Sequence, residues 1–165
     1  KTYGGTKEIY WGRGAHYPVF LNRPQVAIVG FSAALKDCIE AMYALERLGI
    51  ESVVIDPQAL PLPRDFILSL VKRAGGRLVV ADTGHATCGL SAEVIALCAE
   101  EGVLTTPAIR LTPPFYPCPT SAFLEQRWYV TAQDIIDAVC EVLGKPLPAT
   151  VAVQQEPEAL FKGPF

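Results

Sequence analysis

His85 is the side chain best suited by type and place to move a proton. Histidine is the side chain type that ordinarily exchanges a proton near neutral pH, and this one stands in a loop, Asp82 to Gly89, after the apolar run Leu78-Val79-Val80. Ligands of open α/β sheets bind at the carboxyl ends of strands, so proton transfer or a phosphate contact at His85 is a candidate role. The plainer reading is a polar loop residue without a fixed partner. His16 carries the same chemistry with less context. The glycines of this loop form neither Gly-x-Gly-x-x-Gly nor Gly-Lys-Ser/Thr, and loop closure or close helix packing explains them equally well. Asp56 and Glu93 could work as a carboxylate pair only if the fold joins them. Glu93 already has a sufficient reason to stand in a first helical turn, where the macrodipole favours negative charge. Ser91 and Ser121 lack the Gly-x-Ser-x-Gly elbow of hydrolases. Cys88 stands just ahead of a helix start, a position used by reactive thiols, but no neighbouring base is evident. No residue is therefore assigned a catalytic, cofactor-binding or metal-binding role, and His85 is kept as a candidate ligand-loop residue.

A second constellation is aromatic. Phe115, Tyr116, Phe123, Trp128 and Tyr129 crowd a segment that also holds Pro113, Pro114, Pro117 and Pro119. Aromatic side chains dominate interface energetics when buried between partners. They serve equally to cover the end of a domain's own core, and the residues alone leave both readings open.

The elements that must position these groups are legible from periodicity. Val26 to Val29, Ser52 to Ile55 and Leu78 to Val80 are continuous apolar runs with β-branched residues, the pattern of strands buried on both faces. Ala108 to Leu111 reads as a fourth. Between them, Leu35, Ile39, Met42, Leu45 and Leu48 recur at helical spacing, with Ser32 as N-cap and Gly49 as terminator. A short helix spans Asp65 to Ala74, and another carries Leu90, Val94, Ile95 and Cys98 up to Gly102. The proline-rich stretch cannot enter a central ladder, because proline lacks the donor. Thr131 opens a last helix whose inward face is Ile135, Ile136, Val139, Cys140 and Leu143, stopped by Gly144. Residues 1–24 are weakly patterned, with one or two short strands plausible as a linker or edge. Residues 25–144 form the α/β domain, and 145–165 are expected to be an extended or mobile tail. Alternating strands and helices give a three-layer α/β/α sandwich.

Composition narrows the partners. The 165 residues are half hydrophobic, with a formal net charge of -3 and no run of one sign. Nucleic acid and anionic membrane surfaces call for clustered positive charge, and no apolar run approaches the roughly 20 residues that span a bilayer. Five irregularly spaced cysteines include no Cys-x-x-Cys. Cys38, Cys98 and Cys140 fall in apolar helical stretches and read as core, so a reducing cytoplasm is the expected compartment. A first residue that is Lys1 rather than Met is expected of a sequence that starts inside a longer polypeptide or after a processing event.

Several segments in order resemble the C-terminal domain of the transketolase superfamily, above all in the beta subunit of the decarboxylating component of 2-oxoacid dehydrogenases. They are Val26-Ala27-Ile28-Val29-Gly30, Gly49-Ile50-Glu51-Ser52-Val53-Val54-Ile55-Asp56, Gly76-Arg77-Leu78-Val79-Val80-Ala81-Asp82, Cys88-Gly89-Leu90-Ser91-Ala92-Glu93-Val94, Leu124-Glu125 and Asp134-Ile135. The resemblance implies a mixed, mostly parallel five-stranded sheet with one antiparallel strand. It also implies that thiamine diphosphate and magnesium belong to the parent enzyme, held by other domains. The implied partners are the chain's own pyrimidine-binding domain, an alpha subunit, a second beta subunit and a dihydrolipoyl acyltransferase core. In a eukaryote the location would be the mitochondrial matrix. The family's Leu-Arg after the second strand is Pro57-Gln58 here, and its acidic residue after the third is Thr83. This resemblance tilts the aromatic segment toward an interface. The alternatives are a transketolase or deoxyxylulose-phosphate synthase C-terminal domain, or a free-standing α/β module holding a small ligand near His85.

Overall fold

The computed structural model describes residues 8–10, 14–18 and 23–147. In chain order the elements are β1 (Glu8–Tyr10), β2 (Gly14–Pro18), β3 (Val26–Gly30), α1 (Ala34–Arg47), β4 (Ser52–Asp56), α2 (Arg64–Arg73), β5 (Leu78–Ala81), α3 (Leu90–Glu100), β6 (Ile109–Leu111), α4 (Ala122–Glu125) and α5 (Ala132–Leu143).

The sheet order is β1-β2-β4-β3-β5-β6. β4, β3, β5 and β6 run parallel, while β2 pairs antiparallel with β4 and β1 antiparallel with β2. The five strands expected from the resemblance are β2 to β6, and β1 adds a sixth outside β2. The continuous apolar runs are explained by the two faces they serve. Val26, Ile28, Val54, Val79 and Ala81 pack under α1 and α5. The alternate residues Ala27, Val29, Val53, Ile55, Leu78 and Val80 pack under α2 and α3. A strand covered on both sides has no reason to alternate with polar residues.

The helix ends show where local signals held. Gly49 and Gly144 adopt left-handed φ values of +72° and +63°, as terminating glycines do. Thr131 accepts from the Asp134 backbone N–H while the Asp134 carboxylate takes the Thr131 N–H, a complete capping box. Ser32 does not cap α1. Its φ is +54°, and α1 begins after Ala33 with no side-chain cap. Leu48, expected on the inward face of α1, lies past the helix end and is exposed. Cys38, Cys98 and Cys140 are buried and unpaired, as expected. Burial pushes the Cys38 thiol far above its usual range and Cys98 up to about 11, so neither is a nucleophile at neutral pH. The expected tail from residue 148 onward lies outside the described residues. No helix among the described residues is long and apolar enough to cross a membrane.

Candidate functional site

The two parallel strands leaving in opposite senses from the sheet centre are β3, whose chain crosses to β4, and β5, whose chain crosses to β6. This is the topological switch point, where a crevice is expected beyond the strand ends. The side chain that organises it is Asp82, buried at the end of β5. Its Oδ1 accepts from the Gly84 N–H at 2.9 Å and its Oδ2 from the Ser91 N–H at 3.0 Å. Its own N–H donates to the Leu111 carbonyl at 3.0 Å. Asp82 thus closes the loop from β5 and satisfies an N-terminal amide of α3, whose N-cap position is Gly89. Helix starts leave such donors unpaired, and here a carboxyl group from another element fills the role.

Gly89 is required for the same closure. A Cβ at that position would stand 2.2 Å from the His85 carbonyl oxygen, a backbone atom. The glycine reading is therefore close packing, and the amide that could cradle a phosphate is already committed to Asp82. Cys88, just before it, is exposed with a φ of +59°.

His85 sits on top of this loop, and its surroundings join the two sequence candidates. Its ring centroid lies 4.8 Å from Phe115 and 6.2 Å from Trp128, the latter nearly edge-on at 86°. Its Nδ1 is buried without a hydrogen-bond partner. Trp128 is itself buried, donating from Nε1 to the Tyr116 carbonyl at 3.2 Å and meeting the Tyr129 ring edge-on at 5.0 Å. The Arg127 guanidinium stacks 4.4 Å from the Phe123 ring centre. Arg110 on β6 ties the loop from the other side, donating to the Ala86 carbonyl at 2.8 Å. Trp128 is the anchor of this cluster. Phe115, Tyr116, Phe123, Leu124 and Tyr129 stand out from it into solvent. The raised pKa of the Tyr129 hydroxyl reflects its nearness to the Cys118 thiol.

The remaining candidates are scattered. Asp56 accepts from Gln58 at 3.1 Å, and no hydrogen bond or ion pair among the described residues joins it to Glu93, which is exposed in the first turn of α3. Gln58, at the Pro57-Gln58 departure, takes a φ of +61°. Ser91 is fully buried, its Oγ without a partner. Ser121 precedes α4 with its side chain unused as a cap. His16 pairs with Ile55 through the backbone of β2. Among the described residues the Ser91 hydroxyl has no hydrogen-bond partner, and the hydroxyl–carboxylate bond of Thr131 to Asp134 belongs to the α5 capping box. Sequence reading missed Asp82 and Arg110. The signal for Asp82 was its position two residues before a glycine, the Asx-turn pattern; for Arg110 it was a lone charge inside an apolar strand.

A model of the transketolase C-terminal domain matches residues 19–135. The chain belongs to the transketolase C-terminal domain family. Among curated proteins this transketolase C-terminal domain is 32% identical over 124 residues to the beta subunit of acetoin:2,6-dichlorophenolindophenol oxidoreductase of Bacillus subtilis, covering 73% of the chain and 36% of that protein. It is also 32% identical to the mitochondrial pyruvate dehydrogenase E1 component subunit beta of Dictyostelium discoideum, over 71% of the chain and 33% of that protein. A solved structure described as a split-gene transketolase in an inactive beta4 tetramer superposes with a TM-score of 0.66 at 25% identity, covering 74% of this chain and 40% of that one. The chain spans about a third of the length of these two curated relatives. Its match begins before β3 and ends in α5, so it includes Asp82, His85 and the whole aromatic segment.

Proposed function

We propose that this domain is the C-terminal assembly and docking domain of a thiamine diphosphate-dependent 2-oxoacid dehydrogenase beta subunit. The parent enzyme decarboxylates a 2-oxo acid and passes the acyl group to a lipoyl arm. The carrying observation is the exposed apolar segment 115–129, held by the buried Trp128 on the loop that Asp82 closes. An exposed apolar patch on a rigid support is what a contact surface requires. Its partners in the parent enzyme are the pyrimidine-binding domain, an alpha subunit, a second beta subunit and the dihydrolipoyl acyltransferase core. The relatives named for pyruvate and acetoin support a small oxo-compound as the substrate class.

In the parent enzyme thiamine diphosphate, when bound, would supply the nucleophilic carbon for the decarboxylation. The residues at this sheet edge do not fit that cofactor: the α3 amide that would receive a phosphate oxygen is given to Asp82, whose acidic side chain would face the diphosphate. The cofactor's place is on the other domains, with its magnesium. The unpaired cysteines suit a reducing compartment, the cytoplasm or a mitochondrial matrix. Calorimetric titration with thiamine diphosphate and magnesium is expected to show no binding to this chain alone. Tight magnesium-dependent binding would overturn the reading.

The split-gene transketolase likeness favours one second reading, a transketolase C-terminal domain. The upstream sequence of the gene distinguishes the two.

A further inference from the structure

We infer that residues 114–129 form a self-contained strap that lifts from the domain as one body, with His85 as its latch. The use of this movement in docking rests on the assembly reading above; the movement itself does not.

Among the described residues, every hydrogen bond of residues 114–129 closes within the segment. The Tyr116 N–H donates to the Pro114 carbonyl at 2.8 Å and the Trp128 N–H to the Glu125 carbonyl at 2.9 Å. Trp128 Nε1 reaches back to Tyr116 and so joins the two ends. Arg127 lies over Phe123 and the Trp128 ring meets Tyr129, again inside the segment. None of these contacts breaks if the whole segment moves. Units bonded chiefly to themselves open locally at less cost than the domain unfolds.

Little holds the strap down. α4 has no buried residue, and the buried Trp128 belongs to neither apolar core. Among the described residues, the ring contacts between strap and body are those of His85 with Phe115 at 4.8 Å and with Trp128 at 6.2 Å. Both flanks are tethered. The Leu111 carbonyl accepts from the Asp82 N–H at 3.0 Å, and the Ala132 N–H donates to Asp37 at 3.2 Å. The movement is thereby confined between β6 and α5.

Closure also carries a penalty that lifting relieves. His85 Nδ1 is buried without a partner where the imidazole meets the strap's rings, and an unpaired buried polar atom destabilises the state that buries it. Water reaches that nitrogen once the strap lifts, which narrows the gap between the two states. Lifting re-aims the exposed Phe115, Tyr116 and Phe123 together, so the contact surface has two presentations.

The test is a urea titration of this chain carrying Trp11→Phe, which leaves Trp128 as its one tryptophan, followed by indole emission and far-ultraviolet circular dichroism. Emission should change first, with a midpoint about 1 M or more below that of the ellipticity and a shallower slope, since lifting exposes little surface. His85→Ala should lower the emission midpoint by about 0.5 M or more and leave the ellipticity midpoint within about 0.3 M. His85→Phe keeps a ring for Phe115 and Trp128 and removes the orphaned nitrogen, so it should raise the emission midpoint. Coincident transitions overturn the inference. So does a His85→Ala variant that moves both midpoints alike, or a His85→Phe variant that loosens the strap as His85→Ala does. The cofactor titration above is independent of these outcomes: coincident transitions in a chain that binds no thiamine diphosphate would defeat the strap and leave the parent reading standing.

Discussion

Replacing Asp82 by alanine removes a carboxyl group whose two oxygens hold the Gly84 and Ser91 amides at 2.9 and 3.0 Å in a buried position. Both amides then lose their acceptor. Hydrogen bonds to a carboxylate contribute about 1.5–3 kcal/mol each, and an orphaned buried donor costs about 1–3 kcal/mol. The two estimates describe the same loss from opposite sides, so Asp82→Ala is expected to cost about 3 kcal/mol. With a urea dependence of about 2 kcal/mol per molar, the unfolding midpoint falls by about 1.5 M. Asp82→Asn sharpens the test. Its single oxygen can serve one amide, and its NH₂ then confronts the other, so it should recover no more than half of the loss. The same variants should alter the near-ultraviolet signal of Trp128, because the loop that Asp82 closes carries His85 against that ring. A midpoint for Asp82→Ala within about 0.3 M of the parent chain, or an asparagine variant as stable as the parent, refutes the reasoning.

Other substitutions separate packing from conformation. Gly89→Ala should cost about 2–3 kcal/mol from collision with the His85 carbonyl, whereas Gly102→Ala, at φ +60° with open space around it, should cost only about 1 kcal/mol; thermal melts compare them. Trp128→Phe is expected to lose about 1 kcal/mol with the Tyr116 bond, and Trp128→Ala about 3 kcal/mol or more, by denaturant titration. Asp37 is half-buried at the start of α1, where its Oδ1 accepts from the Ala132 N–H at 3.2 Å. Burial raises its pKa above the usual 3.8, against the opposing pull of that N–H and of Lys36. A raised native pKa means the native state holds the proton more tightly, so this group stabilises below its unfolded pKa and the benefit fades as pH rises through the native value. Asp37→Asn keeps the acceptor without the charge. Relative to the parent chain it should gain stability on raising the pH across that window, and a difference flat from acid to neutral pH would refute the linkage.

The strands were legible because burial on both faces erases alternation, and the runs at Val26, Ser52 and Leu78 stand out as apolar blocks. Capping at Thr131 and termination at Gly49 and Gly144 were readable because they depend on a few adjacent residues. α4 escaped notice, since a helix of four residues has no period. The meeting of His85 with Phe115 and Trp128 also escaped: it joins residues 30 to 43 positions apart, and only the β5–β6 pairing brings those loops together. Residue type marked both candidates, while topology made them one surface.

The antiparallel pairing of β2 with β4 bears on how the chain can be shortened. Ala15 to Pro18 occupy the outer hydrogen-bonding row of Asp56 to Val53. A truncation at Gln25, where the family pattern sharpens, would strip that cover and lay bare the apolar strand β4 along the sheet margin. Such margins template pairing with any passing chain, so the shorter protein should precipitate or form fibrils under conditions where the longer one stays dispersed.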